Sequence, residues 1–192
     1  MMEKQLTCSQ CGGKLVANEE YDLYMCRSCG VAFGRSLLEH VDALQEADAA
    51  FQRGEFSAAD RLYQIAQIQD TDNFYSLVGR IKCAARWKEL KEVYNYRPIM
   101  RFRIDLIKTR IAESVRYSNK QDTHFFEVLQ KLFDSRASFQ ILEEELNSNS
   151  PQISQETLLK NVREEKEKFR QIKKELIEVA ETLQLIHGDV FK

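Results

Sequence analysis

Cys8 and Cys11, and again Cys26 and Cys29, form two C-x2-C pairs with 14 residues between them. A turn of that length sets two sulfurs on one side of an ion, and two such turns complete the tetrahedron of thiolates that zinc prefers. Glycine follows each pair, as Gly12 and Gly30. Glycine reaches positive φ without strain, which lets backbone amides point back at the sulfurs. Those amide dipoles offset part of the surplus negative charge of four thiolates on a divalent ion. The expected cofactor is one structural Zn2+ held by Cys8, Cys11, Cys26 and Cys29. Four thiolates leave no open position for water, so catalytic zinc is not expected. The competing readings are two disulfides or a redox-active C-x2-C. Redox motifs usually come singly beside a βαβ pattern, which this sequence lacks.

The elements that must position these sulfurs are short. Residues 14–17 and 21–25 read as two strands around the turn at 18–20, and 31–33 as a third. A unit of that size needs its metal to fold, and zinc binding on the order of 10–16 kcal/mol can supply the energy. The pairs and their glycines resemble the zinc ribbons found in many nucleic-acid and protein-assembly factors. Ribbons serve DNA, RNA and protein contacts alike, so the resemblance implies a fold and a metal and no particular partner.

After Gly34 the pattern turns helical. Leu37, Leu38, Val41, Leu44, Ala47 and Phe51 predict one helix, stopped by Gly54. Ser57 is placed to cap a second, with Ala58, Ala59, Leu62, Tyr63, Ala66 and Ile68 on its apolar face. A third is expected over 74–93, with Leu77, Val78, Ile81, Ala84, Ala85 and Leu90 inward. Within 43–66, Gly54 at the turn, Phe56 beyond it, and Ala59, Tyr63 and Ala66 resemble one tetratricopeptide repeat. Ala43 stands where that repeat has a larger residue, and Thr71 where it has proline. Ribbon and hairpin together resemble a group of uncharacterised bacterial, clostridial-type zinc-ribbon proteins over about residues 6–93. That resemblance implies no activity.

The stretch 94–120 is basic and aromatic. Arg97, Arg101, Arg103, Lys108, Arg110, Arg116 and Lys120 meet only Asp105 and Glu113, with Tyr94, Tyr96, Phe102 and Tyr117 interleaved. Such a pattern can track a phosphate backbone and stack bases, which makes Arg97, Arg101, Arg103, Lys108 and Arg110 candidate nucleic-acid contacts. The plainer expectation is that these cations neutralise the acidic segment 39–72 inside the chain. Pro98 is expected to start a helix with Ile99, Leu106, Ile107, Ile111 and Val115 apolar. Beyond it, Phe125, Phe126, Leu129, Leu132, Phe133, Phe139, Leu142 and Leu146 form one stripe. A break at 147–150 and Pro151 come next. Leu158, Val162, Phe169, Ile172, Leu176, Val179, Leu183 and Ile186 then recur at coiled-coil spacing, interrupted by Glu165. An antiparallel hairpin of these two helices is expected, with a homodimer through the C-terminal helix as the alternative.

The expected fold is mainly α. A small N-terminal β zinc ribbon occupies 1–35, a repeat-like helical region 36–96, and a helical bundle or coiled-coil hairpin 97–192. Seven glycines and two prolines in 192 residues suit long helices better than a β-sandwich. A net charge of -2 gives the whole molecule no polyanion-seeking field. No apolar run reaches the roughly 20 residues of a membrane span, and residues 1–6 lack the apolar stretch of a secretory signal. With thiols kept available for metal, the chain reads as cytoplasmic with no membrane partner. His40, His124 and His187 are isolated, Cys83 reads as a buried thiol, and Tyr63 and Trp87 as packing residues. P-loop, dinucleotide-glycine and HExxH patterns are absent, so no enzyme is expected. The function expected is a zinc-binding protein-interaction adaptor, and the alternative is a nucleic-acid-binding regulator using the ribbon and 97–120.

Overall fold

The computed structural model describes residues 6–39, 42–148 and 153–191. Expectations placed on residues 1–5, the side chain of Leu37, His40, Val41, Ser150 and Pro151 lie outside them. The described chain is mainly helical, with a small N-terminal antiparallel sheet. It divides into two compact units, Met1–Arg86 and Trp87–Lys192.

In the first unit the sheet comprises β1 (Leu15–Asn18), β2 (Leu23–Cys26) and β3 (Ala32–Gly34), in the order β1-β2-β3. Leu15 pairs with Cys26, and Tyr24 with Phe33. The β1–β2 turn closes on Asn18, whose Oδ1 accepts the amides of Glu20 and Tyr21 at 3.1 and 3.3 Å. The short helix α1 (Arg35–Glu39) is followed by α2 (Ala43–Gln52), α3 (Phe56–Gln69) and α4 (Phe74–Ala85). Asp42 caps α2 and Asn73 caps α4, each side-chain oxygen accepting an amide three residues on. Gly54 turns the chain between α2 and α3 at φ +78°. The two helices run antiparallel about that turn, with Tyr63 Oη donating to Asp48 Oδ1 at 2.6 Å.

Four expectations in this unit need correction. The one helix expected through Leu37 to Phe51 is divided into α1 and α2, because the Asp42 side chain caps a new start at Ala43. Ser57 does not cap α3. The helix starts at Phe56 behind Glu55, and Ser57 lies in its first turn. Ala58 is exposed, and Ala59 alone of that pair faces inward. The third helix ends at Ala85 and not near 93. Arg86 takes a left-handed conformation at φ 57°, and its amide turns back to the carbonyls of Cys83 and Lys82. That satisfies two terminal carbonyls and stops the helix without glycine.

Two apolar clusters of described residues in the first unit bear on the site. In one, Ala47, Ala50 and Phe51 of α2 meet Ala59 and Tyr63 of α3 and Cys83 of α4. Alanines at these positions let the helices approach closely. In the other, Cys8, Leu15, Cys26, Leu38 and Ile68 are packed with Ile65, Tyr24, Val31 and Phe33. Helix α3 therefore serves both clusters, with Tyr63 on one side and Ile65 and Ile68 on the other.

In the second unit a 3-10 turn (Leu90–Tyr94) leads to α5 (Arg101–Tyr117), α6 (Thr123–Leu146) and α7 (Gln155–His187). Helix α5 starts after Met100, so Pro98 precedes it by more than the first-turn position expected. The buried stripe of α5 is Ile104, Ile107, Ile111 and Ser114. Leu106 is 41% exposed, because it stands one residue, and so about 100°, away from Ile107.

Helices α6 and α7 form the antiparallel hairpin. Asp122 meets His187, Lys131 meets Glu175 and Ser135 meets the Glu165 carbonyl, in reversed order along the two helices. Phe125, Phe126, Leu129, Leu132 and Phe133 are buried on α6, as are Leu158, Phe169, Leu176 and Leu183 on α7. Ile186 is not part of that seam, since it is 48% exposed, and Ala180 is buried instead. Trp87 is buried beside Phe133, with ring centroids 6.1 Å apart. Among the described residues no helix is long and apolar enough to cross a membrane.

Candidate metal centre

Two tight turns carry the sulfurs. Gly12 donates its amide to the Cys8 carbonyl at 2.8 Å, and Gly30 to the Cys26 carbonyl at 2.9 Å. Both glycines take positive φ, 75° and 76°, as the spacing predicts. The turns are tied into the sheet from outside: the Cys8 amide donates to the Gly13 carbonyl and that of Cys26 to the Val31 carbonyl. One turn precedes β1 and the other begins at the end of β2, so the Leu15–Cys26 pairing of those strands sets the two knuckles face to face.

The result is a cluster of four sulfurs, all within 4.8 Å of one another. Cys11 Sγ lies 3.4 Å from Cys26 Sγ, and Cys8 Sγ 3.7 Å from Cys29 Sγ. Sulfurs at 2.3 Å from a tetrahedral ion stand about 3.8 Å apart, whereas a disulfide needs about 2.05 Å. The spacing is that of ligands around an ion, and none of these four cysteines forms a disulfide. Cys8 and Cys26 are buried, Cys11 is half-buried and Cys29 is exposed.

The electrostatics of the cluster favour a cation. Backbone amides, that of Cys29 first and that of Ser28 after it, help pull the Cys26 thiol down to about 6. For Cys11 the amide of Gly13 acts in the same direction, but the thiols of Cys26 and Cys29 push it up to about 12. Burial raises Cys8. One thiolate, that of Cys26, thus forms readily while Cys8 and Cys11 hold their protons, because negative sulfurs so close together repel one another. A divalent cation removes that obstacle and lets all four ionise. The four cysteines are positioned to bind one metal ion, and their donor set fits a closed, four-coordinate site.

Gly13 is the residue at this site to which sequence reasoning assigns no specific role. A Cβ there would stand 2.4 Å from Ser28 Oγ and 3.0 Å from Cys26 Sγ. Its amide also reaches Cys11 Sγ at 3.4 Å. The Gly12-Gly13 doublet was the available signal: one glycine turns the chain, and the second lets the knuckles close.

The basic candidates are not gathered into a comparable site. Arg101, 80% exposed at its side chain, pairs with Glu144 at 2.8 Å, and Lys108 pairs with Asp134 at 2.8 Å. Arg110 pairs with Glu113 at 3.0 Å. These carboxylates lie on α5 and α6, within the second unit. Arg97 is exposed, and Arg103 is half-buried with its guanidinium 5.3 Å from the Phe102 ring centroid. Cys83 is buried, as expected, among Tyr63 and the alanines of α2 and α3. His124 is paired with Glu127 at the surface, and His187 with Asp122.

The first unit is thus a small β element, with four cysteines positioned to bind a metal ion, built onto a helical hairpin. No family model, curated protein or solved structure matches the chain.

Proposed function

We propose that this chain is a non-enzymatic protein-interaction adaptor, cytoplasmic, whose ribbon is held by one structural Zn2+ on Cys8, Cys11, Cys26 and Cys29. One observation supports it above others. The metal knuckles share a core with α3, so the ion anchors a helical surface and presents no open coordination position for chemistry. The test is in two parts. Protein purified under reducing conditions contains one zinc per chain by elemental analysis. The zinc-loaded chain, immobilised, retains a specific protein from its own cell lysate. It loses that protein when the cysteines are replaced. Folded, zinc-loaded protein that retains nothing specific argues against the adaptor.

A second reading, a nucleic-acid-binding regulator, is supported by Phe102. Its ring is 64% exposed between Arg101 and Arg103, an arrangement suited to stacking a base beside phosphate contacts. Binding to random single-stranded DNA or RNA that weakens with salt, and weakens further on charge reversal at Arg101, Arg103 and Arg110, supports it. No binding at low salt removes it.

A further inference from the structure

We propose that Cys29 is the point at which oxidants enter the metal centre, and that the resulting metal loss uncovers the side of α3 carrying Ile65 and Ile68. The inference rests on the structural-zinc reading. Its first ground is the unequal burial of the four ligands: Cys8 and Cys26 are 0% and 1% exposed, Cys11 is half-buried, and Cys29 alone is exposed. A thiolate at the surface reacts with a small oxidant before its shielded neighbours can. Its second ground is the partner at hand, since Cys8 Sγ lies 3.7 Å from Cys29 Sγ.

The chemistry needs a peroxide. The Cys29 thiolate attacks one oxygen of hydrogen peroxide; the O–O bond breaks, leaving a sulfenic acid and hydroxide. The Cys8 thiolate then attacks that sulfur, the S–S bond forms and a second hydroxide leaves. Two protons from solvent turn both hydroxides into water. The two sulfurs together lose two electrons, and peroxide gains them. The ion keeps two thiolates of four and leaves as a divalent cation. Cys11 and Cys26, 3.4 Å apart, repeat the reaction with a second peroxide.

Packing sets the consequence of metal loss. Cys8 and Cys26 are themselves core residues of the cluster that contains Leu38, Ile65 and Ile68. A ribbon too small to fold without its ion gives up that cluster when the ion leaves. The opposite side of α3, with Ala59 and Tyr63 against α2, belongs to a cluster with no metal ligand and persists. One helix side is exposed, on demand, and the other holds.

The experiment treats the zinc-loaded full chain with hydrogen peroxide. It follows zinc release with a chromogenic chelator, disulfides by peptide mapping, and amide exchange along the chain. Expected are a first disulfide joining Cys29 to Cys8, zinc release, and faster exchange at 65–69 with 47–51 unchanged. The variant Cys29→His keeps a fourth ligand and removes the exposed thiol, and zinc release should slow at least tenfold. Should that variant fold poorly, limited alkylation of the wild-type chain serves instead, with Cys29 the first site labelled. A first disulfide without Cys29, a first label elsewhere, or unchanged exchange at 65–69 after zinc release overturns the proposal. A zinc-loaded chain inert to peroxide overturns it while leaving the structural zinc standing; a chain with no stoichiometric zinc overturns both.

Discussion

The ring of Tyr63 lies directly over Gly79: a Cβ built on that glycine would stand 2.5 Å from Tyr63 Cζ. The contact locks α3 to α4 at a point where neither sequence pattern nor charge marks it. An alanine in a helix interior ordinarily gains up to about 1 kcal/mol over glycine. Here the ring would have to move, and with it the hydrogen bond to Asp48. We expect Gly79→Ala to destabilise the first unit by about 1–3 kcal/mol in chemical denaturation. A neutral or stabilised variant would show that the contact is slack.

Tyr63 should also set part of the alkaline limit. Burial, and then the hydrogen bond to Asp48, raises its hydroxyl well above the usual tyrosine range. The native state therefore keeps a proton that the unfolded chain loses near pH 10. The associated stability is complete below that pH and declines above it, by about 1.4 kcal/mol per pH unit for one proton. Burial raises Tyr94 in the second unit in the same direction. Tyr63→Phe should flatten the fall in stability between about pH 10 and 11, measured by denaturant titration, relative to wild type.

Removing the metal should unfold the ribbon and leave the helices formed, with faster exchange among them confined to the 65–69 end of α3. With a strong chelator, amide protection over 15–34 is expected to disappear while far-ultraviolet circular dichroism changes little, since the sheet is small. Cys26→Ser should lower zinc affinity at least tenfold by removing one of the four donors, as read by competition with a chelator of known affinity. Retained strand protection after complete metal loss would contradict the view that the ion carries the fold of this element.

Arg136 is buried, and its hydrogen-bond partners among the described residues are backbone carbonyls. Nη1 donates to the carbonyls of Glu92 and Val93 at 3.2 and 3.3 Å, and Nη2 to that of Arg97 at 3.1 Å. The guanidinium also stands 5.2 Å from the ring centroid of Trp87. Arg136→Met preserves most of the volume but leaves three carbonyls without that donor, and should cost about 3–5 kcal/mol. Arg136→Lys should recover only part of this, because an ammonium cannot span the same fork. Trp87 is the single tryptophan, so its fluorescence reports this unit during denaturation.

At the open end of the α6–α7 hairpin, Asp122 is 1% exposed. Its Oδ1 lies 2.8 Å from His187 Nε2, and its Oδ2 accepts Asn119 Nδ2 at 2.8 Å. Asp122→Ala should cost about 1–3 kcal/mol and fray the last turn of α7, seen as faster amide exchange over 180–187. Unchanged exchange there would mean the hairpin end is held by its apolar contacts alone.

Local chemistry made much of this protein legible. The cysteine spacing and the two glycines announce a tetrahedral site because ligand geometry is determined within a few bonds of each residue. The stripes of α6 and α7 announce a hairpin because helical periodicity is local too. The misjudged ends, at Ser57, Arg86 and Pro98, are those where a backbone choice unmarked by residue type decided the boundary.

Tertiary structure alone decided which long-range partners meet. Nothing near Arg101 in the chain points to Glu144, and nothing near Arg80 points to Gln67, whose Oε1 accepts its Nη1 at 2.6 Å. Nor does composition say that Arg136 would be spent on carbonyls, or that the metal knuckles would share a core with Ile65 and Ile68 of α3. The physical reason is common to all four. A residue's type sets what it can bond or bury, whereas the partner is chosen by packing, which depends on the whole arrangement of helices at once.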